Sequence, residues 1–248
     1  MSRLALITDL HANREAVQAV LDHADGQGAQ RHAFLGDFVG YGADPGWVVD
    51  VVRRHVAQGA VAVLGNHDAA VVQGPLPTMV EDARRVVEWT RSRLDAAQLD
   101  FLATLPMSVV EREILFVHAN AWAPKDWAYI MSRMEAVRSL HATECRYTFC
   151  GHMHVPMLYH LTGTGKAGEF APAPGIAIPL SEQRQWLIIP GSTGQPRDGN
   201  PAACYAMFDT DARALTFHRV PYDHDTAGDK IRAAGLPRRL AERLHDGG

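Results

Sequence analysis

The chain has 248 residues, 47% hydrophobic and 21% charged, with a formal net charge of −4. That length is enough for one large α/β unit or two small ones, each with a real core. The slight acidic excess offers no electrostatic footprint for a nucleic-acid backbone, and no stretch reaches the roughly 18 apolar residues of a membrane span.

In chain order, residues 4–8 form the first predicted strand. The sequence before it holds no basic segment followed by a long apolar one, so no export signal is expected. Val17, Val20, Leu21 and Ala24 recur at helical spacing, and "DGQG" closes that helix. A second strand covers 32–37. Asp44 followed by Pro45 looks like an N-cap with proline at the first helical position, and Val48, Val51, Val52 and Val56 make that helix's inward face. A third strand is expected over 60–68. This alternation implies a parallel, right-handed layer.

Residues 79–94 and 96–105 read as two helices, stopped by Pro106. Strands dominate afterwards: 107–111, 114–118, 146–150, 155–161, 167–173, 176–188 with an interruption, and two within 203–220. The tail, from about 223 to 248, holds two short helices split by Gly235-Leu236-Pro237. Its Leu236, Leu240 and Leu244 stripe has two candidate docking faces, its own domain or a second copy in a homo-oligomer. Cys145, Cys150 and Cys204 lack C-x-x-C spacing and fit reduced, buried thiols, hence a cytoplasmic setting. The expected architecture is α/β: a two-layer sheet core flanked by helices, as a single domain over 1–248. Its strand ends would converge on one edge, where such sheets place ligands.

Five of these strands run straight into metal-ligand residues. "LITDLH" delivers Asp9 and His11, "FLGDFVG" Asp37, "VLGNHD" Asn66 and His67, "LFVHAN" His118, and "FCGHMH" His152 and His154. Residues two apart on a strand share a side, so Asp9/His11 and His152/His154 are expected to present paired ligands at strand ends. Any one of these motifs alone is an ordinary turn. Carboxylate, imidazole and one amide, with no cysteine, suit Mn²⁺, Fe or Zn²⁺ better than a thiolate zinc site.

The ordered set D-x-H, G-D, G-N-H-D, V-H, G-H-x-H resembles the calcineurin-like metallophosphoesterase family, its smaller bacterial phosphodiesterase and phosphatase members in particular. The likeness runs on through "PGSTGQPRDG" and covers most of the chain. It implies an α/β/β/α fold and two divalent ions, Mn²⁺ favoured, with Fe, Zn²⁺ or Ni²⁺ as alternatives. It further implies that Asp9, His11 and His154 hold one metal, Asn66, His118 and His152 the other, and Asp37 bridges them. His67 would face the leaving group as catalytic acid. The implied reaction is attack of a metal-bridged hydroxide on a small phosphodiester, phosphoanhydride or phosphomonoester, nucleotide-like in kind. Ser192 and Thr193 are not needed as nucleophiles.

The sequence departs from one branch of that family. Protein Ser/Thr phosphatases carry G-D-x-V-D-R-G, and this chain has "GDFVGYG", with Gly40 and Tyr41 in place of Asp and Arg. That argues against a protein phosphatase and leaves Asp68 or Asp44 as candidates to orient His67. Candidate substrate contacts are Arg197, Tyr41 and Asn13, the last also a candidate helix cap. Trp122 and Trp127 are further candidates, for stacking on a base. The partner is therefore expected to be a small phosphorylated molecule, with neither nucleic acid nor membrane. Two alternatives keep the fold: a non-catalytic scaffold, and a nuclease.

Overall fold

A computed structural model of the chain describes residues 3–75 and 79–248. Its first sheet is built on β1 (Arg3–Ile7), β2 (Arg31–Phe34) and β3 (Val61–Ala62), which pair in parallel. Helices α1 (Arg14–Gly26) and α2 (Pro45–Ala57) make the crossovers. The second sheet has a parallel centre of β5 (Ile114–Val117), β6 (Tyr147–Phe149) and β10 (Arg184–Ile189), edged by antiparallel β4 (Ser108–Glu111), β7 (Met157–Thr162) and β8 (Ala167–Phe170). The first sheet is completed by β11 (Ala203–Asp209), β12 (Ala214–Val220) and the short β9 (Ala177–Pro179), all antiparallel. Both sheets are thus mixed, with six strands each.

Alternation along β1 explains the layering. Leu4 and Leu6 face the second sheet, in a core with Phe149, Ile188, Phe208 and Phe217. Ala5 and Ile7 face the helices, in a core with Val17, Val20, Val48 and Val52. The second sheet buries its outer face under α6 (Arg133–His141) through Leu140, with Tyr159 and Leu187. Two stacked sheets covered by helices on both outer faces make the expected α/β/β/α arrangement. Among the described residues no helix is long and apolar enough to cross a membrane. The three cysteines are free and buried.

Two local expectations are corrected. The third strand does not run from 60 to 68: it pairs only over Val61–Ala62, and Asn66 opens helix α3 (Asn66–Gln73). Asp68, three residues into that turn, accepts the Gly65 N–H at 3.0 Å, so the segment caps a helix where a strand would leave those donors unmet. Asp44 does precede the N1 proline of α2, but its carboxylate makes no cap bond; it pairs with Lys230 at 2.7 Å.

The two helices expected before Pro106 are α4 (Glu81–Ser92) and α5 (Ala96–Thr104), the second opened by a reciprocal Asp95–Gln98 cap. In the tail, α7 (His224–Ala233) and α8 (Arg238–Asp246) place the Leu236, Leu240 and Leu244 stripe on their own chain, in a buried cluster with Val86, Ala227 and Ile231. Lys230 also pairs with Glu15 on α1. Truncating Leu244 to alanine is expected to destabilise the protein by roughly 2–5 kcal/mol, read as a lowered urea midpoint.

Candidate metal centre

The strand ends of both sheets meet at one edge, and the loops leaving them are held against each other by backbone bonds. Asp9, His11 and Ala12 donate their N–H groups to the carbonyls of Gly36, Asp37 and Phe38 at 3.1, 2.9 and 2.8 Å. Ser192 and Thr193 are fully buried braces: Thr193 N–H bonds Thr8 O at 3.0 Å, and the Ser192 hydroxyl donates to Asp9 O at 2.9 Å. Gly65 and Gly151 allow close approaches between these loops. A Cβ on Gly65 would lie 2.1 Å from the Asp37 nitrogen, and one on Gly151 would lie 1.9 Å from Thr8 Oγ1.

The paired ligands do not converge by strand alternation. β1 ends at Ile7, and Asp9, His11 and Ala12 take φ of 52°, 47° and 51°. Asp37, His152 and His154 are left-handed too, at 54°, 70° and 60°. Each such residue costs of order 1–3 kcal/mol, and Asp and His tolerate the region better than most side chains. Strained loops, cross-braced by the bonds above, aim these groups inward.

Their donor atoms form two groups that share Asp37. In one, His11 Nε2 and His154 Nε2 lie 3.1 Å apart, His154 Nε2 lies 3.4 Å from Asp9 Oδ1, and His11 Nε2 lies 3.8 Å from Asp37 Oδ2. In the other, His118 Nε2 lies 3.0 Å from Asn66 Oδ1, 3.2 Å from His152 Nδ1 and 3.4 Å from Asp37 Oδ2. All of these side chains are buried except that of Asn66, which is half-buried.

The outward nitrogens fix the tautomers. His11 Nδ1 faces Val39 O, His154 Nδ1 faces Gln195 O and His152 Nε2 faces Trp127 O, at 3.2, 2.6 and 2.9 Å. A ring nitrogen against a carbonyl must carry the proton, so the inward nitrogen offers a lone pair. Burial, first of all, holds His11 and His154 well below the ordinary imidazole range and puts His152 at about 4. Two lone pairs facing each other at 3.1 Å repel unless a cation lies between them.

His118 differs. Burial, the largest single effect, lowers it, but Asp37, Asp9 and the Leu35 carbonyl together lift it to about 9, and its Nδ1 bonds Leu35 O at 2.7 Å. Burial likewise raises Asp37, yet His118, His67 and His11 together hold it well below the usual carboxylate range. Asp9, whose oxygens accept the His152 N–H and the Thr8 hydroxyl, is raised to about 7 by burial. A cation on these donors would take the place of the His118 proton. The residues present therefore fit a divalent-metal site of oxygen and imidazole donors.

His67 lies beside this cluster. Its backbone N–H donates to Asp37 Oδ1 at 2.8 Å, and its ring packs 4.4 Å from Tyr41 and 5.0 Å from His11. Burial lowers its pKa, and His118 and Arg197 add to the effect. Gly40 leaves room for it: a Cβ there would meet His67 Nδ1 at 2.5 Å.

The carboxylates expected to orient this ring are engaged elsewhere. Asp68 accepts the backbone N–H groups of Phe38, Val39 and Gly65, and Asp44 takes Lys230. Asp68 thereby ties the Asp37 loop to the start of α3, a role the sequence alone did not reveal.

Arg197 and Tyr41 meet at the rim, where the guanidinium reaches the Tyr41 hydroxyl at 3.4 Å and Gln195 Oε1 at 3.0 Å. Asn13 is occupied as the α1 cap: its oxygen accepts from Ala16 N–H at 3.1 Å and its amide donates to Gly194 O at 2.8 Å. Trp122 packs below, under Arg138, whereas the Trp127 ring lies 5.8 Å from His118. Tyr129, which carries no motif, stacks on His152 at 4.1 Å and 14°.

Two mixed sheets between helices, with this buried Asp/His cluster at their shared edge, define a metallophosphoesterase fold. The chain belongs to the calcineurin-like phosphoesterase superfamily, whose domain model it matches over residues 2–213. It is 34% identical over 249 residues to an uncharacterised protein of Methanocaldococcus jannaschii, covering 98% of this chain and 97% of that one. It is similar to the crystal structure of a metallophosphoesterase from Sphaerobacter thermophilus, with 36% identity and a TM-score of 0.88 over 99% of this chain and all 100% of that one. A hypothetical protein from Pyrococcus horikoshii shares the fold at a TM-score of 0.78 and 18% identity, over 100% and 99% of the two chains. Hydrolysis of phosphoric esters with divalent metal is the chemistry of this class.

Proposed function

We propose that the protein is a dinuclear-metal phosphoesterase acting on a small, nucleotide-like phosphodiester, phosphoanhydride or phosphomonoester. Asp9, His11 and His154 would hold one ion, Asn66, His118 and His152 the other, and Asp37 would serve both. The observation that carries this reading is the set of inward lone pairs, each fixed by an outward bond from its ring to a backbone carbonyl. When bound, two divalent ions at these residues would supply charge neutralisation at the phosphate oxygens and lower the pKa of water towards neutral.

The chain's own groups do the rest. The Arg197 guanidinium grips a phosphate oxygen at the rim, steadied by Gln195 and Tyr41. His67, wedged between Tyr41 and His11 over Gly40, holds its ring where the departing oxygen needs a proton. Manganese is the favoured metal, because hard oxygen donors accompany the imidazoles.

The test is elemental analysis of the purified protein, with hydrolysis of bis-p-nitrophenyl phosphate, p-nitrophenyl phosphate and a nucleotide panel in Mn²⁺, Fe²⁺, Zn²⁺ and Ni²⁺. Two ions per chain and turnover of at least one ester are expected. No turnover with any of the metals sinks the proposal.

A further inference from the structure

A cavity of about 510 Å³ lies beside the metal centre, lined by Asn66 and His67 and not by Arg197. Its inner end is Asn66, His67 and Tyr41, and Trp127 and Tyr129 form one side. The other side is apolar, with Val86 and Val87 of α4 and Leu240 of α8. Arg239 and Arg243 of α8 line it too, together with Gln73 and the carboxylate of Asp82. Resting on the phosphoesterase assignment, we propose that this cavity is the leaving-group subsite. It takes an alcohol of nucleoside size that carries a second anionic group, and Arg243 holds that anion.

Three observations lead there. The cavity begins at His67, so whatever fills it is attached to phosphorus on the side where the departing oxygen is protonated. Its volume lies in the range of about 300–1,000 Å³ that organic ligands occupy, and a phosphate alone would leave most of it to water against apolar and aromatic walls. The third is charge. Arg239 already pairs with Asp82 at 3.0 Å, but Arg243 is half-buried and, among the described residues, meets no carboxylate. A guanidinium drawn partly out of water on an apolar wall gains most from a bidentate anion. The wall is also preformed: Ala241 and Leu244 anchor α8 in the buried cluster at 0% and 2% exposure, so little ordering is needed when the ligand arrives.

In the reaction, the phosphorus–oxygen bond to this alcohol breaks and a water oxygen bonds to phosphorus. One proton of that water is lost, and the alcohol leaves carrying one proton and its own anionic group.

The experiment uses the full chain with Mn²⁺ and three diesters: bis-p-nitrophenyl phosphate, thymidylyl-thymidine, and thymidylyl-thymidine with a phosphate on the leaving nucleoside. The last should have the lowest KM. Arg243→Gln should raise that KM by about tenfold or more, the effect of losing one charge-assisted bond, and raise the KM of the unphosphorylated dinucleoside by less than twofold. Arg243→Lys should restore much of the preference, and circular dichroism melts should match wild type. Equal KM shifts for the two dinucleosides, or no wild-type preference between them, would overturn the subsite. So would turnover of bis-p-nitrophenyl phosphate alone, which leaves the phosphoesterase assignment standing. Silence on all three esters and on the nucleotide panel defeats that assignment itself.

Discussion

Replacing Asp37 with alanine is expected to lower turnover by more than ~10³-fold and to reduce bound metal from two ions per chain to at most one. One carboxylate serves both halves of the cluster, with Oδ2 lying 3.8 Å from His11 and 3.4 Å from His118. Its other oxygen accepts the His67 N–H at 2.8 Å. On the proposed assignment, truncation would therefore remove a donor from each ion, and it takes an anchor from the first turn of α3. It also strips the charge that keeps His118 protonated when no ion is bound. Metals contribute several kcal/mol of transition-state stabilisation, and about 4 kcal/mol corresponds to ~10³-fold in rate. Asp37→Asn, which keeps the shape and removes the charge, should also lose metal but melt nearer to wild type. Inductively coupled plasma analysis beside a rate assay reads both effects. An Asp37→Ala protein that keeps two ions and wild-type turnover would falsify the shared-carboxylate assignment.

The cluster was legible in the sequence because its residues follow apolar runs directly, and ordinary turns rarely repeat that event five times in a fixed order. The physical route was not. Alternation on a strand would place Asp9 beside His11, but both sit in left-handed loop conformations that no residue pattern announces. Asn66 and His67 looked like a strand end because "AVAVLG" is apolar and β-branched. The competing signal was Asp68, whose bond to Gly65 N–H turns the segment into a helix start. Helix α6 has no counterpart among the expected elements, although Ser132 and Glu135 have the spacing of a capping box. Tyr129 had no local signal: its place on His152 depends on the path of the whole 119–132 loop. The tail stripe was visible as amphipathic, and only the packing against Val86 and Ile231 settled which surface it covers.

His67→Ala should slow turnover of an alkyl diester by about 10²–10⁴-fold, the usual contribution of a positioned general acid, while both metal ions stay bound. The ring makes no direct bond to the lone-pair cluster; it reaches the site through packing on Tyr41 and His11. Burial, His118 and Arg197 all disfavour the protonated ring, and Asp37 favours it. An incoming phosphate anion acts in the same sense as Asp37, so substrate itself promotes the charged, proton-donating form. The signature lies in the leaving group. An alkoxide needs the proton, whereas p-nitrophenolate departs without one, so the variant should lose far more on the alkyl ester than on bis-p-nitrophenyl phosphate. A plot of log kcat against leaving-group pKa should be steeper for His67→Ala than for wild type. Equal losses on both esters, or loss of an ion from the variant, would instead make His67 a residue that positions the metal centre through Asp37.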